Sequence, residues 1–175
     1  LLLDTPLPLA AAQLGEVFVS TSSLTKAYGL AGLRCGWVLA SPALSARIRE
    51  TRDIVDGSGA FPPEQLSVTA FAKIDELRAR ARRILSRNLA LVEGVLASHP
   101  RLDWLAPAAG TTAFPRVKGV DDTTALVERL MADYDTVVVP GRFFRAPQHI
   151  RISFGGKTEI LAEGLARLDR ALRES

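Results

Sequence analysis

The chain has 175 residues, of which 47% are apolar and 23% are charged, and its net charge is +3. This composition is ordinary for a globular protein and excludes an intrinsically disordered chain. No apolar run reaches the roughly 20 residues that a membrane-spanning helix needs, and no signal-peptide pattern is present. Because the single cysteine, Cys35, cannot form an internal disulfide, nothing calls for an oxidising compartment, and we expect a cytoplasmic protein.

The first part of the chain is predicted to contain two short strands and a helix. In chain order we expect a loop at residues 1–15, a buried strand at 17–20 and a hydroxyl-rich loop at 20–26. A second strand at 37–40 and a helix at 41–53 follow. The strands are predicted from their β-branched and aromatic residues. The helix start is predicted from Ser41 at the cap position and Pro42 in the first turn.

A long helical pattern follows a Pro- and Gly-rich loop at residues 56–63. From residue 64 to residue 98 the apolar positions step by three and four, which is the period of a helix face. We therefore predict one long helix or two in tandem, ended by Pro100. The rest predicts a smaller α/β unit. It is predicted to have strands at residues 112–117, 136–139 and 150–154. Its predicted helices lie at 123–134 and 158–172.

The basic residues and the histidines give no reason to expect a nucleic-acid or metal partner. The densest basic run lies on the long helical pattern, at Arg78, Arg80, Arg82, Arg83 and Arg87. We interpret it as a solvated helix face, because the aromatic residues that a single-strand binder needs do not interleave with it. The two histidines are isolated from cysteines and from acidic clusters, so we expect no metal site.

Lys26 is the first candidate for chemistry. It follows the first predicted strand and its hydroxyl-rich run, and glycines and apolar residues come after it. A lysine held out of bulk water at the end of a buried strand can act as a nucleophilic amine. The alternative is an exposed lysine in a surface loop.

Arg34 and Ser23 are candidates for binding an anion. Arg34 stands between glycines in the run Gly-Leu-Arg-Cys-Gly-Trp, just before an apolar strand. A partly buried guanidinium needs an anion, and it binds phosphate or carboxylate in a forked geometry. Ser23 supplies a hydroxyl three residues before Lys26. Together with the nearby glycine backbone, these groups could hold a phosphate.

Arg151 is the third candidate. In the predicted strand at residues 150–154, Arg151 and Ser153 share one face and the isoleucines share the other. A charged residue in an apolar strand is rarely without a partner. The pattern therefore indicates a carboxylate-binding arginine, an internal salt bridge or a solvated sheet face.

Two segments of the chain resemble a known family. Residues 23–36, Ser-Leu-Thr-Lys-Ala-Tyr-Gly-Leu-Ala-Gly-Leu-Arg-Cys-Gly, resemble the lysine signature of class I/II aminotransferases, which are fold-type I pyridoxal-phosphate-dependent enzymes. Cys35 stands where an aliphatic residue or Met is usual. Residues 139–144, followed by Arg-Ile-Ser-Phe at 151–154, are similar to the family's Pro-Gly…Phe…Arg segment. The resemblance covers essentially the whole chain, but only the C-terminal half of the family's length.

The resemblance implies an α/β fold that is the C-terminal part of a fold-type I PLP-dependent transferase. Residues 1–60 would be the end of the large PLP-binding domain, 61–98 a connecting helix and 99–175 a small α/β domain. Since the chain begins with Leu1 and its only methionine is Met131, we expect a processed protein or a piece of a longer one. The family's ring-binding residues precede its lysine, so we expect no transaminase activity from this chain alone.

The resemblance also implies roles for the candidate residues. Lys26 would bind pyridoxal 5′-phosphate as a Schiff base and move a proton during catalysis. Ser23 and Arg34 would hold the phosphate, and Arg151 the substrate α-carboxylate. The implied reaction moves an amino group between an amino acid and a 2-oxo acid, in a homodimer of the full-length protein. A lyase, decarboxylase or synthase of the same fold, and the aminotransferase-like effector domain of a transcriptional regulator, stay open as alternatives.

Overall fold

The computed structural model describes residues 9–57, 59–107 and 110–174. The chain divides into two compact units, the first ending at Ala81 and the second beginning at Arg82. Residues 1–8 of the loop predicted at 1–15, and Ser58 in the loop predicted at 56–63, lie outside the described residues. The three domains implied by the resemblance stay a prediction. No helix of the described residues is long and apolar enough to span a membrane.

The first unit consists of a β-hairpin and helices. Its elements are β1 (Ser20–Ser23), β2 (Gly36–Leu39), α1 (Pro42–Val55), α2 (Phe61–Ala72) and the first part of α3 (Ile74–Leu96). Strand β1 pairs with β2 in antiparallel register, with Ser20 opposite Leu39. Helix α1 begins as predicted, because the Ser41 hydroxyl oxygen accepts a hydrogen bond from the Leu44 N–H at 3.4 Å.

The first strand lies three residues later than predicted. The prediction of a buried strand at residues 17–20 is wrong, since Val17 is 85% exposed and the hydroxyl-rich run Ser20–Ser23 is the strand instead. Strand position is decided by pairing with β2, which favours this run over the apolar residues before it. A two-stranded sheet buries little by itself, so the strand is not a buried one.

The long helical pattern is divided into two helices, α2 and α3. Lys73 separates them, with φ −112° and ψ 22°, which is outside the helical region. Helix α2 also begins earlier than predicted, at Phe61, so that Pro62 and Pro63 belong to its first turn rather than to a loop. Proline is tolerated there because the N–H that it lacks has no partner in a first turn.

The second unit packs helices against small antiparallel sheets. Besides the rest of α3, its elements are β3 (Leu102–Asp103), β4 (Thr112–Ala113), β5 (Arg116–Val117), α4 (Thr124–Tyr134), β6 (Val139–Pro140), β7 (Ile150–Ser153) and α5 (Thr158–Arg173). Strand β7 lies between β4 and β6, and β3 pairs with β5. Its fully buried side chains include Leu130, Ile150 and Leu168.

Two strands of this unit differ from their predictions. The strand predicted at residues 112–117 is broken into β4 and β5, because Pro115 has no N–H to donate to a sheet. Of the strand predicted at 136–139, Val139 alone among the described residues pairs with β7, and the strand continues to Pro140 beyond the predicted end. The helices α4 and α5 lie within a residue of their predicted bounds.

Candidate functional site

Lys26 lies in the 12-residue connection between β1 and β2, which folds onto one buried side chain. Leu24 begins the connection and is fully buried. Its N–H donates to the Cys35 carbonyl oxygen at 3.1 Å, and its own carbonyl oxygen accepts from the Leu30 N–H at 3.0 Å. These bonds tie the start of the connection to its middle and its end. They therefore give the segment that carries Lys26 a defined shape.

Lys26 itself stands at a tight turn with an exposed side chain. The Gly29 N–H donates to the Lys26 carbonyl oxygen at 3.2 Å, and Gly29 has φ +70°, a left-handed conformation that favours glycine. Of the two interpretations that the sequence leaves open for Lys26, this chain shows the exposed one. The physical reason is that the preceding strand belongs to a two-stranded sheet and is not buried.

Ser23 lies where the connection leaves the hairpin, paired with Gly36 across the strands. Its hydroxyl oxygen accepts a hydrogen bond from the Thr25 N–H at 3.3 Å, which turns the chain toward Lys26. A Cβ at position 36 would come within 3.0 Å of the Ser22 carbonyl oxygen, so this close approach favours glycine. Paired residues of antiparallel strands have Cα atoms about 5 Å apart. The hairpin therefore brings Ser23 to the end of the connection that holds Arg34.

Arg34 ends a short 3₁₀ helix, Ala31–Leu33, in a left-handed conformation with φ +49°. That conformation is uncommon for residues other than glycine, asparagine and aspartate. Its side chain is exposed rather than partly buried as expected. Within the described part of the chain, its guanidinium has no hydrogen bond or ion pair. Arg34 therefore has all its side-chain donors available for an anion.

An open groove of about 620 Å³ adjoins Arg34. Trp37 of β2 and Ile48 of α1 give it an apolar wall, and Arg52 contributes a further positive charge. Arg52 is already paired with Asp56, at 3.2 Å from Nε to the carboxylate oxygen. In this groove Arg34 is therefore the better placed of these two arginines to bind an incoming anion.

Arg151 lies in the second unit, on the exposed face of β7. The burial of the strand alternates, so that Ile150 and Ile152 are buried while Arg151 and Ser153 are exposed, as the sequence predicts. No salt bridge to Arg151 is found among the residues that the structure describes, which leaves the interpretations of a solvated face and of a carboxylate-binding residue. The guanidinium carbon lies 5.2 Å from the ring centroid of Phe144.

The contact between Arg151 and Phe144 is part of an aromatic cluster that the sequence pattern did not indicate. The Phe144 ring meets the ring of Phe114 edge to face, with centroids 5.6 Å apart. Phe114 in turn stacks on His149 at 4.8 Å. These residues come from three separate segments, and no periodic pattern in the sequence relates them.

The chain matches known proteins over most of its length. The family model for "Aminotransferase class I and II" matches residues 7–168. Capreomycidine synthase of Streptomyces vinaceus is 34% identical to it over 162 residues, which cover 88% of this chain and 40% of that protein.

Solved structures give the same result. A PLP-dependent aminotransferase from Streptococcus suis superposes with a TM-score of 0.86 at 28% identity, over 89% of this chain and 42% of its own. The PLP-dependent cyclase OrfR superposes with a TM-score of 0.81 at 33% identity, over 89% of this chain and 43% of its own. The chain thus spans less than half the length of each of these three relatives.

Proposed function

Because the chain belongs to the class I and II aminotransferase family, we propose that the protein containing it is a pyridoxal 5′-phosphate-dependent aminotransferase. The reaction moves an amino group between an amino acid and a 2-oxo acid. The observation that supports this most is the β1–β2 hairpin. It carries a hydroxyl at Ser23, the last residue of β1, and its connection carries an exposed amine at Lys26 and an unpaired guanidinium at Arg34.

This set of donors fits the cofactor, whose reactive groups are an aldehyde and a phosphate. The Lys26 amine suits the aldehyde, and the Ser23 hydroxyl and Arg34 guanidinium suit the phosphate. Bound pyridoxal phosphate supplies an electron sink for the substrate α-carbon. Lys26 would hold the cofactor through its Nζ. Once the substrate amine has displaced it, the free Nζ would take the proton from the substrate α-carbon and pass it to C4′ of the cofactor.

Arg151 is proposed to bind the substrate α-carboxylate. A guanidinium offers a planar fork that matches both carboxylate oxygens. In β7 the side chain is exposed, and pairing with β4 on one side and β6 on the other holds the backbone of the strand. Holding the carboxylate fixes which substituent of the α-carbon faces the proton-transferring amine.

We further propose that the complete protein is a homodimer. The first unit exposes large apolar side chains, including Val17, Ile54, Val55 and Phe61, which are 67–87% exposed. Several large apolar side chains this exposed in one unit support a contact with further protein. The remainder of the protein and a second copy are proposed to cover it.

A second candidate is a synthase or cyclase that uses the same cofactor. Two of the relatives reported above, at 34% and 33% identity, are named as a synthase and a cyclase. Lys26 and both arginines suit such a reaction equally well. The lysine moves a proton and the arginines bind anionic groups, and neither role determines which bonds change afterwards. Analysis of the products separates the candidates: a 2-oxo acid and an aminated acceptor indicate transamination, and a rearranged amino acid without a 2-oxo acid indicates the alternative.

The role of Lys26 is tested by chemical trapping in the complete protein. After incubation with pyridoxal phosphate, borohydride reduction fixes the cofactor to the amine that binds it, and peptide mass mapping locates the modified lysine. We expect a single pyridoxyl group on the Lys26 peptide and none in a Lys26→Ala variant.

Lys73→Ala is the matched control. Lys73 is another exposed lysine of the same unit, 3.9 Å from the Glu76 carboxylate, and it has no role in the proposal. The variant should be labelled at Lys26 like the wild type. Labelling spread over all four lysines of the chain, or unchanged in Lys26→Ala, contradicts the proposed function.

A further inference from the structure

We propose that Phe144 is a positioning residue that holds the Arg151 guanidinium flat for carboxylate binding. The inference rests on the proposed function, since it takes the substrate carboxylate as the ligand of Arg151. It is carried by the contact already described, with the guanidinium carbon 5.2 Å from the centroid of the Phe144 ring.

An exposed arginine needs such a support to bind with a fixed geometry. A free arginine side chain samples many rotamers, and ordering them opposes binding. Arg151 is exposed, and the part of the chain that the structure describes offers it no carboxylate or carbonyl partner. A ring face can order the guanidinium plane by a cation–π contact. Because that contact uses the face and none of the N–H donors, the forked edge stays available for a carboxylate.

The Phe144 ring is itself held by the backbone of its own short helix and by a second aromatic ring. It is the last residue of the 3₁₀ helix Gly141–Phe144. The Gly141 N–H donates to the His149 carbonyl oxygen at 2.7 Å, which ties the start of this helix to the chain just before β7. Behind Phe144 stands Phe114, at an interplanar angle of 82°, and Phe114 is stacked on His149. The side chains of His149, Phe114 and Phe144 therefore form an unbroken row of ring contacts that ends at Arg151.

The adjacent pair in the same turn shows why Phe144 and not its neighbour has this role. Arg142 also lies over a ring, 5.0 Å from the centroid of Phe143. The Arg142 guanidinium, however, already donates to the Thr124 hydroxyl oxygen at 2.9 Å, and Phe143 is 66% exposed. Phe143 thus offers the same contact chemistry without the aromatic support and without a free arginine.

The test compares Phe144→Leu, Phe144→Tyr and the matched control Phe143→Leu in the full chain, labelled with ¹⁵N-arginine. Leucine keeps apolar volume but has no ring face, whereas tyrosine restores it. We expect Phe144→Leu to remove the ring-current shift of the Arg151 Nε–H signal and to increase its mobility. Phe144→Tyr should retain both, and Phe143→Leu should change the Arg142 signal only.

The same samples are then titrated with propionate as the carboxylate probe. We expect Phe144→Leu to weaken the response of Arg151 about two- to fivefold, the size of an exposed cation–π contact, with wild-type values in the Tyr variant. An Arg151 signal and a propionate affinity that do not change in Phe144→Leu overturn the inference, as does a loss that tyrosine fails to rescue. Failure of the proposed function has a different signature, because the borohydride trap would then leave Lys26 unlabelled whatever the Arg151 signal shows.

Discussion

The buried side-chain amide of Asn88 donates a hydrogen bond to the main-chain carbonyl oxygen of Phe154, at 2.7 Å. It donates a second to the Gly156 carbonyl oxygen at 3.0 Å, and its own oxygen accepts from the Thr158 hydroxyl at 2.8 Å. One fully buried residue of α3 therefore fixes the turn that joins β7 to α5. That turn begins directly after the strand that carries Arg151.

We predict that Asn88→Ala lowers the free energy of unfolding of the second unit by about 2–4 kcal/mol, because two carbonyl groups and a hydroxyl lose a partner. The chain has two tryptophans, Trp37 in the first unit and Trp104 in the second. Urea unfolding followed by fluorescence in a Trp37→Phe background therefore reports the second unit. Ser98→Ala is the control, since that hydroxyl is exposed and donates only to carbonyl oxygens of the preceding turn. Equal stability of the two variants contradicts the prediction.

Two glycines of the second unit should respond oppositely to alanine. A Cβ on Gly141 would overlap the carbonyl oxygens of Ala146 and His149, so Gly141→Ala must displace the backbone and destabilise the unit. Gly164 is inside α5, and a Cβ added there would meet open space, so Gly164→Ala should stabilise the unit by roughly 0.5–1 kcal/mol through helix propensity. The measurement is again urea unfolding reported by Trp104. A Gly141→Ala variant as stable as the wild type would show that the close approach at Gly141 does not require glycine.

The second unit should lose stability as the pH falls through 6.5. Burial lowers the pKa of His99 below that value, although the nearby Asp169 carboxylate opposes the shift and Arg173 and Arg101 add to it. Just below pH 6.5 the unfolded chain therefore binds a proton at this histidine that the folded chain does not. The free energy of unfolding is then highest above pH 6.5 and falls below it, until the folded His99 also becomes protonated.

His99→Gln should remove this decline, which is checked by measuring the free energy of unfolding on both sides of pH 6.5. Asp169 acts in a separate window, because the hydrogen bond from Arg173 lowers the pKa of its carboxyl below 3.8. The contribution of Asp169 to the free energy of unfolding is therefore lost only below pH 3.8. A decline below pH 6.5 that persists unchanged in His99→Gln would assign the effect to another group.

Arg34 should show opposite effects on stability and on cofactor binding. Its φ of +49° is left-handed, and such a conformation costs residues with a Cβ about 1 kcal/mol that glycine does not lose. Arg34→Gly should stabilise the first unit by roughly that amount, measured by Trp37 fluorescence in a Trp104→Phe background. In the complete protein it should weaken the binding of pyridoxal phosphate, because the proposed phosphate ligand is gone.

Arg145→Gly is the matched control for Arg34. Arg145 is also an exposed arginine that ends a 3₁₀ helix in the left-handed region, with φ +57°. It should show the gain in stability, in the second unit, without loss of cofactor affinity. If both variants bind pyridoxal phosphate equally well, Arg34 is not a phosphate ligand.

Several features of the fold follow from local sequence pattern. The lysine signature at residues 23–36 predicted the family, which is confirmed, and the α/β fold agrees with the solved relatives. The start of α1 at Ser41 and Pro42 and the alternation of β7 were also predicted correctly, and the bounds of α5 to within one residue. These three features depend only on residues close together in the sequence. The helix start depends on its capping residues, and the other two depend on repeats of two residues in a strand and 3.6 residues in a helix.

The errors arose where a distant segment decides the local structure. Residues 17–20 have strand propensity, but pairing with β2 placed the strand at Ser20–Ser23. The exposure of Lys26 follows from that pairing, since a strand with one neighbour is not buried. Strand propensity in the sequence carries no information about how many neighbours a strand will have.

The sequence by itself determined the family, the order of most elements and the identity of the chemical groups at Ser23, Lys26, Arg34 and Arg151. Only the tertiary structure decided which of these groups are exposed and what supports them. The ring of Phe144 beneath Arg151, and the amide of Asn88 behind the end of β7, are contacts between residues 7 and 66 positions apart. Such contacts depend on how elements pack in space, and no periodicity along the chain encodes them.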